Sequence, residues 1–220
     1  MKTDLQLQSD VAAELKWRPS TRDAEIGVAV KGGVVTLTGF VSSYAQKLSA
    51  ERAAEDVAGV RALADELKVK LPTSSVRSDS DIAHSALHAL IWNVDVPDAR
   101  IKVKVENGWV TLEGDVDWRY EAAAAEDAVR SLMGVTGVSN QITVTLREPK
   151  ISAFDVSKKI KDALQRSATV DSGRISVEAI EGKVVLKGTV RSWAERSDAE
   201  RAAWMSPGVR LVEDQLAVSM

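Results

Sequence analysis

Apolar residues recur at every fourth position in three separate segments of the chain. This spacing is typical of a helix that buries one face. The stripes are Leu7, Val11 and Leu15; Ile82, Ala86 and Leu90; Val156, Ile160 and Leu164. A hydroxyl residue precedes each stripe, and a Gln or Asp follows it three positions later, as in a capping box. These pairs are Thr3 and Gln6, Ser78 and Asp81, and Ser152 and Asp155. A helix of about 14 residues is predicted after each hydroxyl residue.

After each predicted helix, apolar residues alternate with other residues at a period of two, which indicates a β-hairpin. The alternating apolar residues are Ile26, Val28 and Val30; Ile101, Val103 and Val105; Ile175 and Val177. The turns read Gly32-Gly33, Asn107-Gly108 and Glu181-Gly182, and Gly in the second position permits the positive φ of a two-residue turn. A turn at 32–33 predicts the pairs Val30–Val35, Val28–Leu37 and Ile26–Gly39.

The second strand of each hairpin closes on a Leu-x-Gly phrase that ends at Gly39, Gly114 or Gly188. These glycines lie 75 and 74 residues apart (114 − 39 and 188 − 114). The phrase glycine falls opposite the first strand's Ile, and a helix crossing close to it is expected to exclude a side chain there. A regular internal repeat of this kind determines the architecture before other signals are considered.

A second helix is predicted after each phrase, near Ser43, Trp118 and Ser192. Its inward face is small, which would let the helix lie close to the sheet: Ala50, Ala53, Ala54; Ala125, Ala128, Val129; Ala199, Ala202, Ala203. Gly59, Gly134 and Gly208 stand where a helix-ending glycine belongs. A last strand completes the unit, with Leu63, Leu67 and Val69; Val138, Ile142 and Val144; Val212, Leu216 and Val218.

The predicted fold class is therefore α+β. It consists of three tandem αββαβ units, each a three-stranded sheet with two helices on one face. We assign them to residues 3–71, 78–147 and 152–220, with linkers at 72–75 and 148–150. Units of about 70 residues bury modest cores, so contacts between repeats are expected.

The order of elements resembles the BON domain, a module named after bacterial osmotically induced and nodulation-related proteins. The resemblance rests on the Leu-x-Gly phrase before the second helix and on Gly-Val before the last strand, in three copies. It implies a stress-associated, non-enzymatic module that binds phospholipid or other envelope surfaces. Many family members carry a secretion signal or a lipid-anchor cysteine.

This chain has no cysteine and shows no apolar signal-peptide core near its N-terminus. No apolar run approaches the roughly 18 residues that a membrane span needs. A cytoplasmic location is expected for the chain as given, and a periplasmic one only if a signal segment has been removed.

Catalysis is not predicted. The absence of cysteine excludes disulfides, thiol nucleophiles and thiolate metal sites. The two histidines, His84 and His88, share one face of a helix, but no nearby carboxylate completes a ligand set in the sequence. The glycines lack the spacing and the lysine of a phosphate-binding loop. We therefore expect no cofactor and no metal.

Nucleic-acid binding is not predicted either. Net charge is −3, so no strong field favours an anionic polymer. Arg100, Lys102 and Lys104 share one face of a strand, but the hairpin register sets Glu113 opposite Lys102. A face with cross-strand ion pairs is a poor match for a basic groove with stacking aromatics.

The first helix of the third repeat is the most basic segment of the chain. Phe154, Lys158 and Lys161 point away from its apolar stripe, and Lys159 and Arg166 flank that face. This surface could be plainly solvated, could dock against the acidic second repeat or another protein, or could contact anionic phospholipid. These five residues are the candidate lipid- or partner-binding site.

Two other functions are compatible with the sequence. The chain could be a cytoplasmic protein-binding scaffold or a chaperone-like protein, or it could bind a small ion such as potassium through backbone carbonyls. Six tryptophans lie largely outside the repeated core pattern. Trp17 and Trp92 are expected to cover a core edge, Trp109 to lie on the outer sheet face, and the others to contact a neighbouring repeat.

Overall fold

The computed structural model describes residues 2–22, 24–145 and 152–219. The predicted linker at 148–150 lies outside these residues. The first repeat contains α1 (Asp4–Trp17), β1 (Glu25–Lys31), β2 (Val34–Val41), α2 (Tyr44–Glu55) and β3 (Ala62–Val69). The second contains α3 (Asp79–Ile91), β4 (Ile101–Glu106), β5 (Trp109–Val116), α4 (Arg119–Val129) and β6 (Gly137–Val144). The third contains α5 (Ala153–Arg166), β7 (Ile175–Ile180), β8 (Lys183–Val190), α6 (Trp193–Trp204) and β9 (Leu211–Val218).

Each repeat forms a three-stranded sheet, in the orders β1-β2-β3, β4-β5-β6 and β7-β8-β9. The hairpin strands are antiparallel, whereas β3 and β9 run parallel to β2 and β8. A parallel neighbour needs a crossover, and the second helix of the repeat supplies it. The predicted α+β fold of three αββαβ units is confirmed.

The hairpin register agrees with the prediction. Val30 pairs with Val35, Val28 with Leu37 and Ile26 with Gly39. Both residues of each turn have positive φ, including the non-glycine residues Asn107 (52°) and Glu181 (47°). These are the dihedral signs of a type I′ turn, whose twist matches that of the flanking strands.

The core of each repeat lies between the sheet and its two helices. Val35 and Leu37 of the central strand β2 are fully buried, while the apolar residues of the edge strand β1 are half-buried. Helix α1 contacts α2, and α5 contacts α6, so the helices of repeats one and three lie on one sheet face as predicted. The three helical stripes and the small residues Ala50, Ala122 and Ala199 are buried.

The reason predicted for the phrase glycines is wrong. A Cβ on Gly114 would lie 2.1 Å from the carbonyl oxygen of Arg100, the residue just before the neighbouring strand β4. Gly39 and Gly188 face the carbonyls of Glu25 and Arg174 in the same way. Their φ values lie between 121° and 143°, where L-residues are strained. The close approach is therefore to the backbone at the start of the neighbouring hairpin strand, and no atom of α2, α4 or α6 is among the nearest three.

The described residues divide into two compact units. One consists of residues 2–22, 24–116 and 120–143, and so contains most of repeats one and two. The other consists of 117–119, 144–145 and 152–219. Within the first unit, Tyr44 of α2 lies near Glu126 and the backbone of Val138, both in the second repeat. Burial, together with the charges of Glu126 and Glu51, raises the pKa of the Tyr44 phenol. Repeats one and two thus make contact, as expected for units whose own cores are small.

Candidate functional site

Helix α5 carries the candidate binding residues and is held in place at its start and along its buried face. The hydroxyl of Ser152 accepts a hydrogen bond from the Asp155 amide at 3.1 Å and donates one to its carboxylate at 2.7 Å. Val156, Ile160 and Leu164 are buried in the repeat-three core. These contacts fix the rotation of the helix about its axis.

A tie to the sheet supports the same rotation. The hydroxyl of Ser157 donates to the carbonyl of Val177 on β7 at 3.0 Å. At the equivalent position of repeat one, the side-chain amide of Gln8 donates through Nε2 to the carbonyl of Val28 at 2.7 Å. With this side of α5 held against the sheet, the opposite side faces outward.

The predicted site residues all lie on exposed positions of α5. Phe154 is 76% exposed, and Lys158, Lys159, Lys161 and Arg166 are exposed as well. None of these four basic side chains forms an ion pair with another described residue. Helix α5 holds four basic and two acidic side chains. Helix α1 has one basic and three acidic residues, and α3 has no Lys or Arg and two acidic residues.

The expectation that Trp17 and Trp92 cover a core edge is wrong. Trp17 is 81% exposed and Trp92 is 85% exposed. Each lies two positions beyond the last residue of its buried stripe, which is Leu15 or Leu90. Two residues turn a helix through about 200°, so these indole rings point away from the core. The equivalent position in repeat three is Arg166.

Trp109 lies on the outer sheet face, as predicted. It is half-exposed, and its ring covers Gly137 on the adjacent strand β6, where a Cβ would lie 2.3 Å from ring atoms. Trp204, at the end of α6, is half-buried and packs against the core of its own repeat. At these two positions the tryptophans extend the packing of a repeat.

The outer sheet face of repeat two carries matched charges. Lys102 is paired in register with Glu113, as predicted. Lys104 forms an ion pair with Glu106 at 2.9 Å, and Arg100 forms one with Asp115. The hydrogen bond and charge of Glu106 raise the pKa of Lys104 above its usual value. The positive charges of this strand are therefore compensated locally.

His84 and His88 are exposed on α3. Among residues 2–22, 24–145 and 152–219, no group of three or more His, Cys, Asp or Glu side chains is placed to hold a metal ion. Within the same part of the chain, no helix combines the length and apolarity needed to cross a bilayer.

Comparison with protein families matches one family model three times. The BON domain model covers residues 3–70, 78–145 and 152–220, which is almost the whole chain. The chain belongs to the BON family. The resemblance seen in the Leu-x-Gly phrases is confirmed.

A curated relative of this BON protein is osmotically-inducible protein Y of Escherichia coli strain K12. The two sequences are 31% identical over 143 residues, which is 63% of this chain and 71% of that protein. Among solved structures, the C-terminal domain of CdsD, a structural protein of the Type III secretion system of Chlamydia trachomatis, is 15% identical over 100% of both chains, with a TM-score of 0.28. The PrgH periplasmic domain is 8% identical over 96% of this chain and all of its own, with a TM-score of 0.24.

The first BON repeat contains a cluster of titratable groups that the sequence patterns did not reveal. Lys47 of α2 forms an ion pair with Asp65 of β3 at 2.6 Å, and Glu51 lies one helical turn further along α2. Burial, together with a hydrogen bond to Asp65, raises the pKa of Glu51 to about 7. Although burial alone would raise the pKa of Asp65, its bonds to Lys47 and to the Leu67 amide lower it. A proton on Glu51 therefore bridges two carboxyl groups.

We expect the free energy of unfolding of the first repeat to fall as pH rises from about 4.5 to about 7. The folded state binds the Glu51 proton more tightly than the unfolded state, so ionisation in this window favours unfolding. Above pH 7 the effect levels off. Because Glu51 is only half-buried, solvent screening limits the effect to about 1 kcal/mol.

Glu51→Gln should flatten this slope, since an amide donates to Asp65 without ionising. Chemical denaturation at about pH 5 and about pH 8 measures the difference. Glu66→Gln serves as the control, because Glu66 is exposed and lies next to Asp65 on β3. If Glu51→Gln and the unchanged chain lose equal stability between the two pH values, Glu51 is not the titrating group.

Proposed function

We propose that this BON protein is a non-enzymatic binding module associated with osmotic stress, and that α5 binds anionic phospholipid surfaces. One observation carries the proposal: the exposed face of α5 combines Phe154 with four basic side chains that form no ion pair within the described residues. The name of the curated relative, an osmotically inducible protein, supports the association with osmotic stress.

The arrangement of the face suits a membrane surface. Phe154, Lys158 and Lys161 follow each other at spacings of four and three, so they align along one side of α5. An aromatic ring can enter the headgroup region while lysine ammonium groups remain near the phosphates. Each lysine at an anionic surface contributes about 1 kcal/mol, which salt screens.

We expect Lys158→Glu/Lys161→Glu to weaken binding to anionic vesicles by roughly 30-fold or more. Loss of two contributions of about 1 kcal/mol each accounts for that factor, and the introduced carboxylates add repulsion. The measurement is co-sedimentation with vesicles of increasing phosphatidylglycerol content in phosphatidylcholine, at low and at physiological salt.

Lys31→Glu/Lys68→Glu is the matched control. It makes the same change in net charge at exposed positions of repeat one, and these lysines form no ion pair with another described residue. It should keep most of the binding, whereas equal losses in the two variants would show that net charge alone governs attraction. Absence of binding at low salt would overturn the lipid proposal and favour a protein-binding scaffold.

A further inference from the structure

The hairpin turns of the first two repeats both hold a carboxylate. Asp4, the first residue of α1, accepts hydrogen bonds from the amides of Gly32 at 2.8 Å and Gly33 at 3.2 Å. Asp79, at the start of α3, accepts from Asn107 and Gly108, both at 2.8 Å. In each case one carboxylate oxygen faces each amide. The two successive amides of the turn therefore form a two-point carboxylate site.

The third repeat keeps the turn and lacks the carboxylate. Its turn residues Glu181 and Gly182 have φ values of 47° and 84°, close to the 52° and 77° of Asn107 and Gly108. The residue equivalent to Asp4 and Asp79 is Ala153. No described side chain accepts a hydrogen bond from the Glu181 or Gly182 amide.

The far side of the turn is held in the same way in all three repeats. The amides of Arg61, Thr136 and Arg210 donate to the carbonyls of Gly33, Gly108 and Gly182 at 2.9, 2.9 and 2.8 Å. The two turn amides of repeat three therefore have the same backbone surroundings as the two amide pairs that bind Asp4 and Asp79.

A guanidinium group adds positive charge at the third turn. Arg210 donates from its side chain to the carbonyl of Glu181 at 2.6 Å, and its Nε lies 2.8 Å from where a Cβ on Gly182 would be. It forms no ion pair with another described residue. The nearby Lys183, by contrast, is paired with Glu213. The remaining acidic group on the turn is the side chain of Glu181 itself.

We propose that the Glu181–Gly182 turn binds a carboxylate presented by another molecule, such as an acidic side chain of a partner protein. The two amides take one oxygen each, as their counterparts do with Asp4 and Asp79, and Arg210 contributes charge beside them. A carboxylate is the favoured ligand because the equivalent amide pairs of repeats one and two each bind a carboxylate. The proposal does not depend on lipid binding by α5.

The test is a titration of the ¹⁵N-labelled full chain with sodium acetate, followed through the amide resonances of the two turn residues. Sodium chloride at equal ionic strength serves as the blank. Acetate should cause saturable downfield shifts of the Glu181 and Gly182 amide protons, and chloride should not. Sodium phosphate in a parallel titration tests the choice of ligand; stronger binding of phosphate than of acetate would overturn the assignment to a carboxylate.

Two variants make the result decisive. Ala153→Asp restores the internal carboxylate, so it should shift both amides without ligand and abolish their response to acetate. Asp79→Ala should make the Asn107 and Gly108 amides responsive in turn. If the Glu181 and Gly182 amides of the unchanged chain respond no more to acetate than to chloride, the site is refuted, whatever the outcome of vesicle binding.

Discussion

Gly114→Val is expected to lower the free energy of unfolding by roughly 3–5 kcal/mol. A valine Cβ would lie 2.1 Å from the Arg100 carbonyl oxygen, so β4 and β5 would have to separate. The φ of 143° adds strain, which is large for a β-branched residue. Backbone strain and overpacking each cost about 1–3 kcal/mol, and here both act at one position. Chemical denaturation gives the measurement.

The matched control is Lys104→Ala on the neighbouring strand. It removes an exposed ion pair with Glu106, and solvent-exposed pairs contribute little to stability. A denaturation midpoint for Gly114→Val close to that of Lys104→Ala would contradict the close strand approach. Gly39→Val and Gly188→Val should behave like Gly114→Val, since the same carbonyl approach recurs in the other two repeats.

Glu195→Ala should destabilise the third repeat by roughly 2–4 kcal/mol. The Glu195 side chain is 4% exposed and accepts hydrogen bonds from the amides of Asp171 at 2.7 Å and Arg191 at 2.6 Å. The Arg191 guanidinium pairs with it at 3.2 Å. Alanine would leave two amide donors without their acceptor in the loops before β7 and after β8, and unmet donors are costly when buried.

The pH dependence of this repeat provides a second test. Burial alone would raise the pKa of Glu195, but the two amides and Arg191 outweigh burial and hold it below its usual value of 4.5. The folded state therefore binds this proton less tightly than the unfolded state. Stability from Glu195 is present above about pH 4.5 and is lost as pH falls through the lower, folded pKa.

Glu195→Ala should remove that part of the acid sensitivity. Glu178→Ala, which deletes an exposed carboxylate paired with Lys187, is the control and should change stability little. The measurement is chemical denaturation at neutral pH and at about pH 4. If Glu195→Ala matches Glu178→Ala at neutral pH, the carboxylate does not hold the two loops.

Equivalent positions in the three BON repeats meet the same structural need with different chemistry. Gln46, the counterpart of Glu195, accepts from the Ser42 amide at 2.7 Å and donates to the Ser20 carbonyl at 2.9 Å. An amide can do both, whereas the carboxylate of Glu195 can only accept and faces two N–H donors. The residue type at this position therefore matches the hydrogen-bonding groups of the loops that it holds: an amide where one group donates and one accepts, and a carboxylate where both donate.

The titratable cluster of repeat one varies in the same manner. In repeat two, Asn140 takes the place of Asp65 and donates to Glu126 at 3.0 Å, so no second carboxylate is present. In repeat three, Arg196 pairs with Asp214 at 2.6 Å. In the first copy, two carboxyl groups share one lysine, and the pKa of Glu51 is raised there by burial and by its hydrogen bond to Asp65.

The amino-acid sequence by itself determined the elements, their order and the hairpin register. Helical stripes, type I′ turn residues and capping pairs are local signals, because a period of two or four residues and a turn dihedral involve neighbours in the chain. The outward face of α5 follows from the same periodicity. Trp17 and Trp92 show that the period had to be applied strictly, since both lie two residues beyond a buried leucine.

Tertiary structure decided what meets across the chain. Gly114 is required by the carbonyl of Arg100, just before the neighbouring strand, and Asp4 and Asp79 reach turn amides 28 or 29 residues away. Such contacts depend on how strands and helix ends converge in space, and no local period encodes them. The open turn at Glu181–Gly182 is recognised only when the three folded repeats are compared. Ala153 becomes informative because its counterparts, Asp4 and Asp79, bind the turn amides of their own repeats.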